Sequence, residues 1–187
     1  WFSLAVFRRT PIGTFGETRA AIARREVVFH EDDPAAHVLV LRSRGTEDAL
    51  SLLVNGKPDA SAPGDQPTQL LLGHLPLLLA PEARDVLVIG LASGVTSGAV
   101  LRHPVRRLDV VDIVRTMPAA AAHFDAWSGD PLSDPRARFI ADDARSYLLS
   151  TPRKYDVIVS EPSNPWTAGT GSLFATEFYR SARERLR

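Results

Sequence analysis

Four short segments of this chain carry polar side chains directly after apolar runs that predict β-strands. They are residues 90–94, 112–114, 141–144 and 160–166. Ligands of open α/β sheets bind outside the carboxyl ends of the strands, where loops from neighbouring strands converge. The four segments therefore predict one shared pocket, whose carboxylates can accept hydrogen bonds from hydroxyl and amino groups of a ligand.

The first segment indicates the kind of ligand. An apolar run over residues 86–89 leads into Gly90-Leu91-Ala92-Ser93-Gly94, and Asp112 ends the next predicted strand about twenty residues later. This order is typical of a nucleotide or nucleoside pocket, in which the acidic side chain accepts hydrogen bonds from ribose hydroxyls. The alternative is that the small residues only let the helix pack closely against the strand.

The residues of this loop exclude two classes of ligand site. A dinucleotide site needs glycine at this position, because a methyl group obstructs the approach of the backbone to a pyrophosphate. No Gly-Lys-Ser/Thr ending is present either, which excludes a phosphate-binding P-loop. We therefore predict an adenosyl ligand without phosphates, such as S-adenosylmethionine, with Gly90, Ala92 and Gly94 lining its site and Asp112 holding its ribose.

Asp142 and Asp143 precede a predicted helix. Either carboxylate could accept a hydrogen bond from an adenine amino group. The alternative is helix capping, since an aspartate at the start of a helix accepts hydrogen bonds from the free amides there. Both roles can hold at once, and we expect one of the two side chains to be the cap.

The last segment is a proline-rich loop with a carboxylate and an amide. Glu161 and Asn164 each precede a proline, Pro162 and Pro165, and these prolines restrict the backbone. Glu161 could act as a base that takes a proton from an ammonium group, whose unperturbed pKa is about 10. Trp166 could stack on a ligand or cover the end of the sheet. The alternative is a loop that is stiff for stability, with Glu161 in solvent.

Composition excludes several other classes. The 187 residues carry 22 basic and 22 acidic side chains, so no net charge favours nucleic acid. Cysteine is absent, which excludes thiolate chemistry and favours a reducing compartment such as the cytoplasm. The five histidines lack the short spacings of zinc ligands, and there is no Gly-x-Ser-x-Gly motif. The longest apolar stretch, residues 70–80, is far shorter than the ~20 residues of a membrane-spanning helix.

The pattern of predicted elements changes near residue 65. Residues 17–29, 37–42 and 49–54 are typical of antiparallel strands, with a turn at Asn55-Gly56 and a loop over 58–67. The later strands are predicted at 86–89, 108–112, 137–140 and 155–160, and the helices at 68–79, 96–102, 117–127, 144–149 and 172–186. Such alternation implies a parallel sheet with right-handed crossovers. We predict an α/β fold with a β-rich N-terminal part (1–64) and a nucleoside-binding sheet of about four strands (65–187) that is incomplete at its C-terminal end.

An ordered series of motifs runs from residue 72 to residue 179, within a resemblance that extends from about Glu17 to the end of the chain. It consists of Leu72-Gly73-His74-Leu75-Pro76-Leu77, Leu101-Arg102-His103-Pro104-Val105, Asp142-Asp143-Ala144-Arg145, Tyr155-Asp156-Val157-Ile158 and residues 172–179. In this order the motifs resemble the polyamine aminopropyltransferases, the family of spermidine synthase. The resemblance implies a methyltransferase-like Rossmann sheet and the transfer of an aminopropyl group from decarboxylated S-adenosylmethionine to an amine such as putrescine or spermidine. Asp112 would hold the ribose, Asp143 the adenine, and Glu161 would be the base.

The resemblance also implies which side chains face the amine, namely Asp65, Gln69, Asn164 and Trp166. It implies no permanently bound cofactor and no metal, because the sulfonium donor is a co-substrate. Two departures from the family pattern fall on the amine side of the site. Glu161-Pro162-Ser163-Asn164-Pro165 stands in place of Asp-Ser-Ser-Asp-Pro, and Thr68-Gln69-Leu70 in place of Tyr-His-Glu.

Three further possibilities concern a fused membrane region, methyl transfer and a role without catalysis. Segments 55–57, 64–65 and 161–166 resemble the variant of this family that is fused to a multi-spanning membrane region in some bacterial proteins. This implies a cytoplasmic domain, either free or tethered to the inner face of the membrane, and leaves a homodimer open. Methyl transfer is an alternative, because Asn164-Pro165-Trp166 partly resembles the Asn-Pro-Pro-aromatic loop of amino methyltransferases. A non-catalytic domain that senses a nucleoside or a polyamine is another.

Overall fold

The chain forms two four-stranded sheets, one antiparallel and one parallel. This computed structural model describes Thr14, Gly16 and residues 23–43, 49–160 and 170–187. The antiparallel sheet has the order β1-β2-β3-β4 and the parallel sheet the order β7-β6-β5-β8. Each strand of the first sheet pairs with its neighbour in the chain, whereas the second sheet requires crossovers.

The antiparallel sheet lies at the N-terminal end of the described chain. Its strands are β1 (Arg25–Asp32), β2 (His37–Ser43), β3 (Leu50–Val54) and β4 (Lys57–Ala62). Along β2 the side chains alternate between the two faces, so Val38 and Val40 lie in the main core while Leu39 and Leu41 belong to a separate small cluster. Val38 and Val40 share one continuous core with Val86 and Val88 of the parallel sheet.

The prediction of a loop over 58–67 was wrong for its first part, where the chain forms β4. Asn55 and Gly56 have φ values of 52° and 76°, the paired positive φ of a tight hairpin turn, and the chain therefore returns along β3. Pro58 lies beside a register irregularity at Leu52 and Leu53, and β4 is an edge strand. Edge strands and bulges are the places where a sheet accepts proline.

The parallel sheet confirms the α/β prediction. It is built from β5 (Asp85–Ile89), β6 (Arg107–Asp112), β7 (Ala137–Ala141) and β8 (Val157–Ser160), and all three pairings are parallel. Every residue of β5 is buried, as an apolar central strand should be. The chain moves outward from β5 to β7 and then returns to β8 on the other side of β5, which creates a switch point of the kind where α/β sheets bind ligands.

Helices cover the parallel sheet and differ from the predicted ones mainly at their ends. They are α1 (Gln66–Leu79), α2 (Val95–Leu101), α3 (Met117–Ala121), α4 (Asp125–Ser128), α5 (Ala144–Ser150) and α6 (Thr176–Glu184). The single helix predicted over 117–127 is divided, because a 3₁₀ segment separates α3 from α4. A second 3₁₀ segment, Thr170–Phe174, replaces the first turn of the helix predicted from residue 172. Within the described residues, no helix has the length and apolar character needed to cross a membrane.

The described part of β1 extends three residues beyond the predicted strand end at Phe29. The chain turns only at residues 33–36, where Asp33 and Ala36 exchange two backbone hydrogen bonds of 2.9 and 3.1 Å. The boundary expected between residues 64 and 65 falls between β4 and α1. The apolar core nevertheless continues across it, since Ala60 and Leu77 belong to the same cluster.

Candidate functional site

The carboxyl ends of the four strands lie at one edge of the parallel sheet. Ile89 of β5 pairs with Val111 on one side and with Ser160 on the other. Asp112 pairs with Ala141 at the end of β7. The loop of residues 90–94 therefore starts between the carboxyl ends of β6 and β8.

The glycines after β5 have two different structural roles. Gly90 is exposed with a φ of +91°, and a Cβ placed on it would have no heavy atom of the described residues within 4 Å. A Cβ on Gly98, inside α2, would lie 1.9 Å from the carbonyl oxygen of Ser128. Gly98 thus lets α2 pack closely against Ser128, which is the alternative interpretation of these small residues. Gly90 instead turns the chain at a point where the described residues leave room.

Two further loop residues adopt left-handed backbone conformations. Gly94, the residue before α2, has a φ of 78°, and a Cβ there would lie 3.2 Å from Pro131. Ala92 has a φ of 46°, which a side chain with a Cβ adopts at a cost on the order of 1 kcal/mol. Such strain persists only where the surrounding structure fixes the backbone, and it is concentrated at ligand sites.

Asp112 holds this loop and the one after β6, with one carboxylate oxygen for each. Oδ2 accepts a hydrogen bond from the Leu91 amide at 2.9 Å, and Oδ1 accepts one from the Val114 amide at 2.9 Å. Burial raises the pKa of the Asp112 carboxyl above its usual value, since these amide hydrogen bonds only partly offset the loss of water, and the negative charge of Asp59 raises it further. Asp112 is still half-buried, so a ligand can reach it.

Asp59 is a residue that the sequence reasoning missed. It lies on β4 with its side chain 22% exposed, and its Oδ1 is 3.3 Å from the Lys57 ammonium. Its charge acts on Asp112, so β4 contributes a second carboxylate to the neighbourhood of the predicted ribose acceptor. The prediction of a loop over 58–67 concealed this, because it left Asp59 outside the antiparallel sheet.

Asp143 is the helix cap of the acidic pair. Its Oδ1 accepts a hydrogen bond of 2.8 Å from the Ser146 amide at the start of α5. Asp142 accepts one of 2.8 Å from the Asp143 amide, and its own amide donates to the Asp112 carbonyl at 3.1 Å. Both side chains remain half-buried next to the end of β6. The expectation that one of the two would be the cap is confirmed.

The two residues predicted to face the amine from α1 lie in different environments. Gln69 is buried, and its Oε1 accepts a hydrogen bond of 2.5 Å from the Ser93 hydroxyl of the glycine loop. Its carbonyl accepts a further hydrogen bond of 3.2 Å from the Thr96 hydroxyl. Asp65 is exposed and accepts a hydrogen bond of 2.9 Å from the Ser61 hydroxyl. Gln69 therefore anchors the loop, while Asp65 holds the junction between β4 and α1.

The three remaining predicted site residues, Glu161, Asn164 and Trp166, lie outside the described residues. Ser160 is the last described residue before them, and it ends β8 beside Ile89. The roles predicted for these three side chains stay predictions.

Comparison with known proteins places this architecture in a family. The model of the spermine/spermidine synthase domain matches residues 66–187, more than half of the chain. The chain belongs to this family. Its match begins at the first residue of α1 and includes the whole parallel sheet.

Relatives and solved structures agree with the assignment. The polyamine aminopropyltransferase of Aeropyrum pernix is 29% identical over 163 residues, which are 85% of this chain and 51% of that protein. Polyamine aminopropyltransferase 2 of Pseudomonas aeruginosa is 32% identical over 139 residues, covering 73% of this chain and 40% of that protein. This chain thus spans about half the length of the family members it matches.

The fold is that of spermidine synthase structures. A crystal structure of spermidine synthase in complex with the transition state analogue AdoDATO superposes with a TM-score of 0.77 at 23% identity, covering 86% of this chain and 55% of the other. The structure of spermidine synthase from Thermotoga maritima superposes with a TM-score of 0.75 at 22% identity, covering 86% and 54%. These likenesses confirm the predicted fold class.

Proposed function

We propose that this chain contains the donor-binding half of an aminopropyltransferase, which uses decarboxylated S-adenosylmethionine to modify a small amine. The observation that carries the proposal is the open backbone at Gly90 next to the half-buried carboxylate of Asp112. Membership of the spermine/spermidine synthase domain family supports it, as do the relatives named polyamine aminopropyltransferase.

The donor lies across the carboxyl edge of the parallel sheet in this proposal. Gly90, Ala92 and Gly94 line its path, and Asp112 accepts hydrogen bonds from the ribose through the lone pairs that the Leu91 and Val114 amides leave free. Asp143 accepts from the adenine amino group, and Asp142 holds the amide of Asp143 in place. S-adenosylmethionine can make the same adenosyl contacts as its decarboxylated form. Selection between these two donors therefore depends on the residues around the amine and around the non-adenosyl end of the donor.

The reaction needs positioning more than covalent help from the protein. The amine nitrogen attacks the aminopropyl carbon next to the sulfonium, the carbon–sulfur bond breaks, and its electron pair leaves on sulfur as methylthioadenosine. The proton of the attacking amine passes to a base, for which Glu161 is our candidate. Holding the two reactants together supplies most of the acceleration, and a positioned base adds to it.

The amine side differs most from the family pattern. Asp65 is exposed and Gln69 is bound to Ser93, so α1 presents few acceptors to a polycation. We propose that Asn164 and Trp166 complete this side and that the acceptor is a small amine with few charges. A cytoplasmic location, a tether to the inner face of the membrane and a homodimer are further predictions, which cell fractionation and light scattering of the full-length protein test.

One experiment separates the candidate functions. The full-length protein is incubated with putrescine or spermidine and with each sulfonium donor, and the nucleoside product is identified by mass spectrometry. Methylthioadenosine supports aminopropyl transfer, and S-adenosylhomocysteine would indicate methyl transfer instead. Nucleoside binding without either product would refute both enzyme functions and favour a sensing domain.

The base assignment has its own test. Glu161→Gln should abolish turnover and leave the dissociation constant of the donor nearly unchanged, because the amide cannot take the proton. Glu82→Gln is the matched control, since its side chain, three residues after α1, is 92% exposed and pairs with Arg84 at 3.8 Å. Unchanged turnover in Glu161→Gln would remove Glu161 from this role.

A further inference from the structure

Three potential metal ligands meet on the antiparallel sheet. His30 and Asp32 are two residues apart on β1, so they lie on one face of the sheet. His37, the first residue of β2, is the direct cross-strand partner of Asp32. Val38 and Val40 point to the main core, so by alternation His37 points to the opposite face.

The distances suit a shared ion. Nδ1 of His37 is 2.5 Å from Oδ1 of Asp32, and the centroids of the two imidazole rings are 4.7 Å apart. Ligand atoms of all three side chains lie within 4.8 Å of one another. Four ligands at 2.0–2.1 Å around a tetrahedral zinc ion are roughly 3.3 Å apart, so closing the site requires movements of roughly 1–2 Å.

Exposure shows which side chain has room for that adjustment. His37 is the anchor, because its side chain is only 22% exposed, whereas that of Asp32 is 79% exposed.

We propose that His30, Asp32 and His37 form a binding site for a divalent transition metal ion of the zinc class, with water as the fourth ligand. Two imidazole nitrogens and one carboxylate oxygen are a ligand set that zinc and its neighbours prefer, whereas calcium and magnesium prefer oxygen ligands alone. The spacing of the histidines along the sequence predicted no metal set. The ligands converge because the β1–β2 hairpin brings positions 32 and 37 opposite each other.

The site has a structural consequence for the fold. A bound ion would link β1 and β2 directly beside the turn at residues 33–36, which joins the two strands. In that turn, Oδ2 of Asp33 accepts hydrogen bonds from the amides of Arg115 at 2.9 Å and Thr116 at 3.3 Å. Those amides belong to the loop that follows Asp112 at the end of β6. A bound ion should therefore stabilise both the hairpin and its contact with the parallel sheet.

The test is a metal titration of the full chain, freed of any affinity tag and stripped with a chelator. Zinc binding is followed by calorimetry, and cobalt binding by the visible absorption of the tetrahedral ion. We expect one equivalent to bind with micromolar or tighter affinity and to raise the melting temperature, because a ligand that binds only the folded state stabilises it. Excess magnesium should not compete.

Variants assign the ligands. His30→Ala and His37→Ala should each weaken zinc binding at least tenfold, and Asp32→Asn, which keeps the side-chain shape, should weaken it as well. The exposed His123 provides the control His123→Ala, which should bind as the wild type does. His103→Ala is a second control, because His103 and His74 form the other histidine pair, with ring nitrogens 2.9 Å apart.

The proposal is refuted if no equivalent binds, if His30→Ala and His37→Ala bind normally, or if His103→Ala removes the binding instead. A variant that fails to fold is replaced by Asp32→Asn, whose circular dichroism must match that of the wild type. The metal titration does not depend on aminopropyl transfer, since none of the three residues belongs to the proposed donor site.

Discussion

Aspartates at the two ends of the parallel sheet have opposite electrostatic surroundings. At the amino end, Asp85 is 1% exposed and its Oδ2 lies 2.6 Å from Arg106 and 2.5 Å from Arg187. The other guanidinium nitrogen of Arg187 is 2.5 Å from Asp156. At the carboxyl end, Asp112 binds the backbone amides of Leu91 and Val114.

The pKa values follow this difference. Hydrogen bonds from Arg106 and Arg187 lower the pKa of Asp85 against the effect of burial. Burial and the nearby charge of Asp59 raise the pKa of Asp112. The amino end therefore neutralises its charges within the protein and stabilises the fold. The carboxyl end keeps a carboxylate without a guanidinium partner among the described contacts, where a ligand can supply hydrogen-bond donors.

The largest effect should come from breaking the amino-end network. Asp85→Asn removes a nearly inaccessible charge that two guanidinium groups neutralise, so the free energy of unfolding should fall by about 3 kcal/mol in urea denaturation. Glu26→Gln is the control, because Glu26 and Arg42 form an exposed pair at 3.8 Å and such pairs contribute about 0.5 kcal/mol. Equal losses in the two variants would contradict a structural role for the amino end.

The next effect is a pH dependence at the same end. Burial would raise the pKa of Asp156, but the Asp85 amide, Arg187 and the Arg84 amide together lower it to about 2. A lowered folded-state pKa stabilises the protein above the unfolded pKa of about 3.9, and this stabilisation, about 2 kcal/mol, is lost as the pH falls from about 4 to about 2. Asp156→Asn should thus be less stable than wild type at pH 7, and the difference should shrink over this range. A constant difference between pH 7 and pH 2 would show that the carboxylate charge is not its source.

The smallest effect on stability sharpens the comparison at the carboxyl end. Asp143→Ala should lower the free energy of unfolding by about 1 kcal/mol, because α5 loses its cap. Asp143→Ser keeps a capping oxygen and should remain within about 0.5 kcal/mol of the wild type. Both variants should nevertheless weaken donor binding in calorimetry, since a serine hydroxyl replaces the carboxylate that receives the adenine amino group. Wild-type affinity in Asp143→Ser would leave Asp143 with its capping role alone.

The sequence predicted the parallel sheet because periodicity is a local property. Short apolar runs separated by helical patterns gave its four strands to within a few residues, and polar residues at their ends located the edge that Asp112 and Asp143 share. β4 was missed because Pro58 and its neighbours resemble a loop, and only pairing with β3 makes them a strand. Asp59, which lies on β4, was therefore missed as well.

Contacts between distant residues could not be predicted. Asp109 is fully buried inside β6, where its Oδ2 accepts a hydrogen bond of 2.8 Å from the Tyr155 hydroxyl. Tyr147 lies 2.5 Å from the same hydroxyl. Asp109 and Tyr155 are 46 positions apart, and no local pattern links them. The meeting of His30, Asp32 and His37 escaped for a related reason, since it depends on the register of β1 and β2.

One measurement tests the contrast between the two ends most directly: calorimetric titration of methylthioadenosine into wild type, Asp112→Asn and Asp156→Asn. The same substitution is thereby made at opposite ends of one sheet. We expect Asp112→Asn to weaken binding at least tenfold while its circular dichroism matches the wild type, and Asp156→Asn to bind within about twofold of the wild type. Equal affinity in all three proteins, or a larger loss in Asp156→Asn, would contradict a donor site at the carboxyl end.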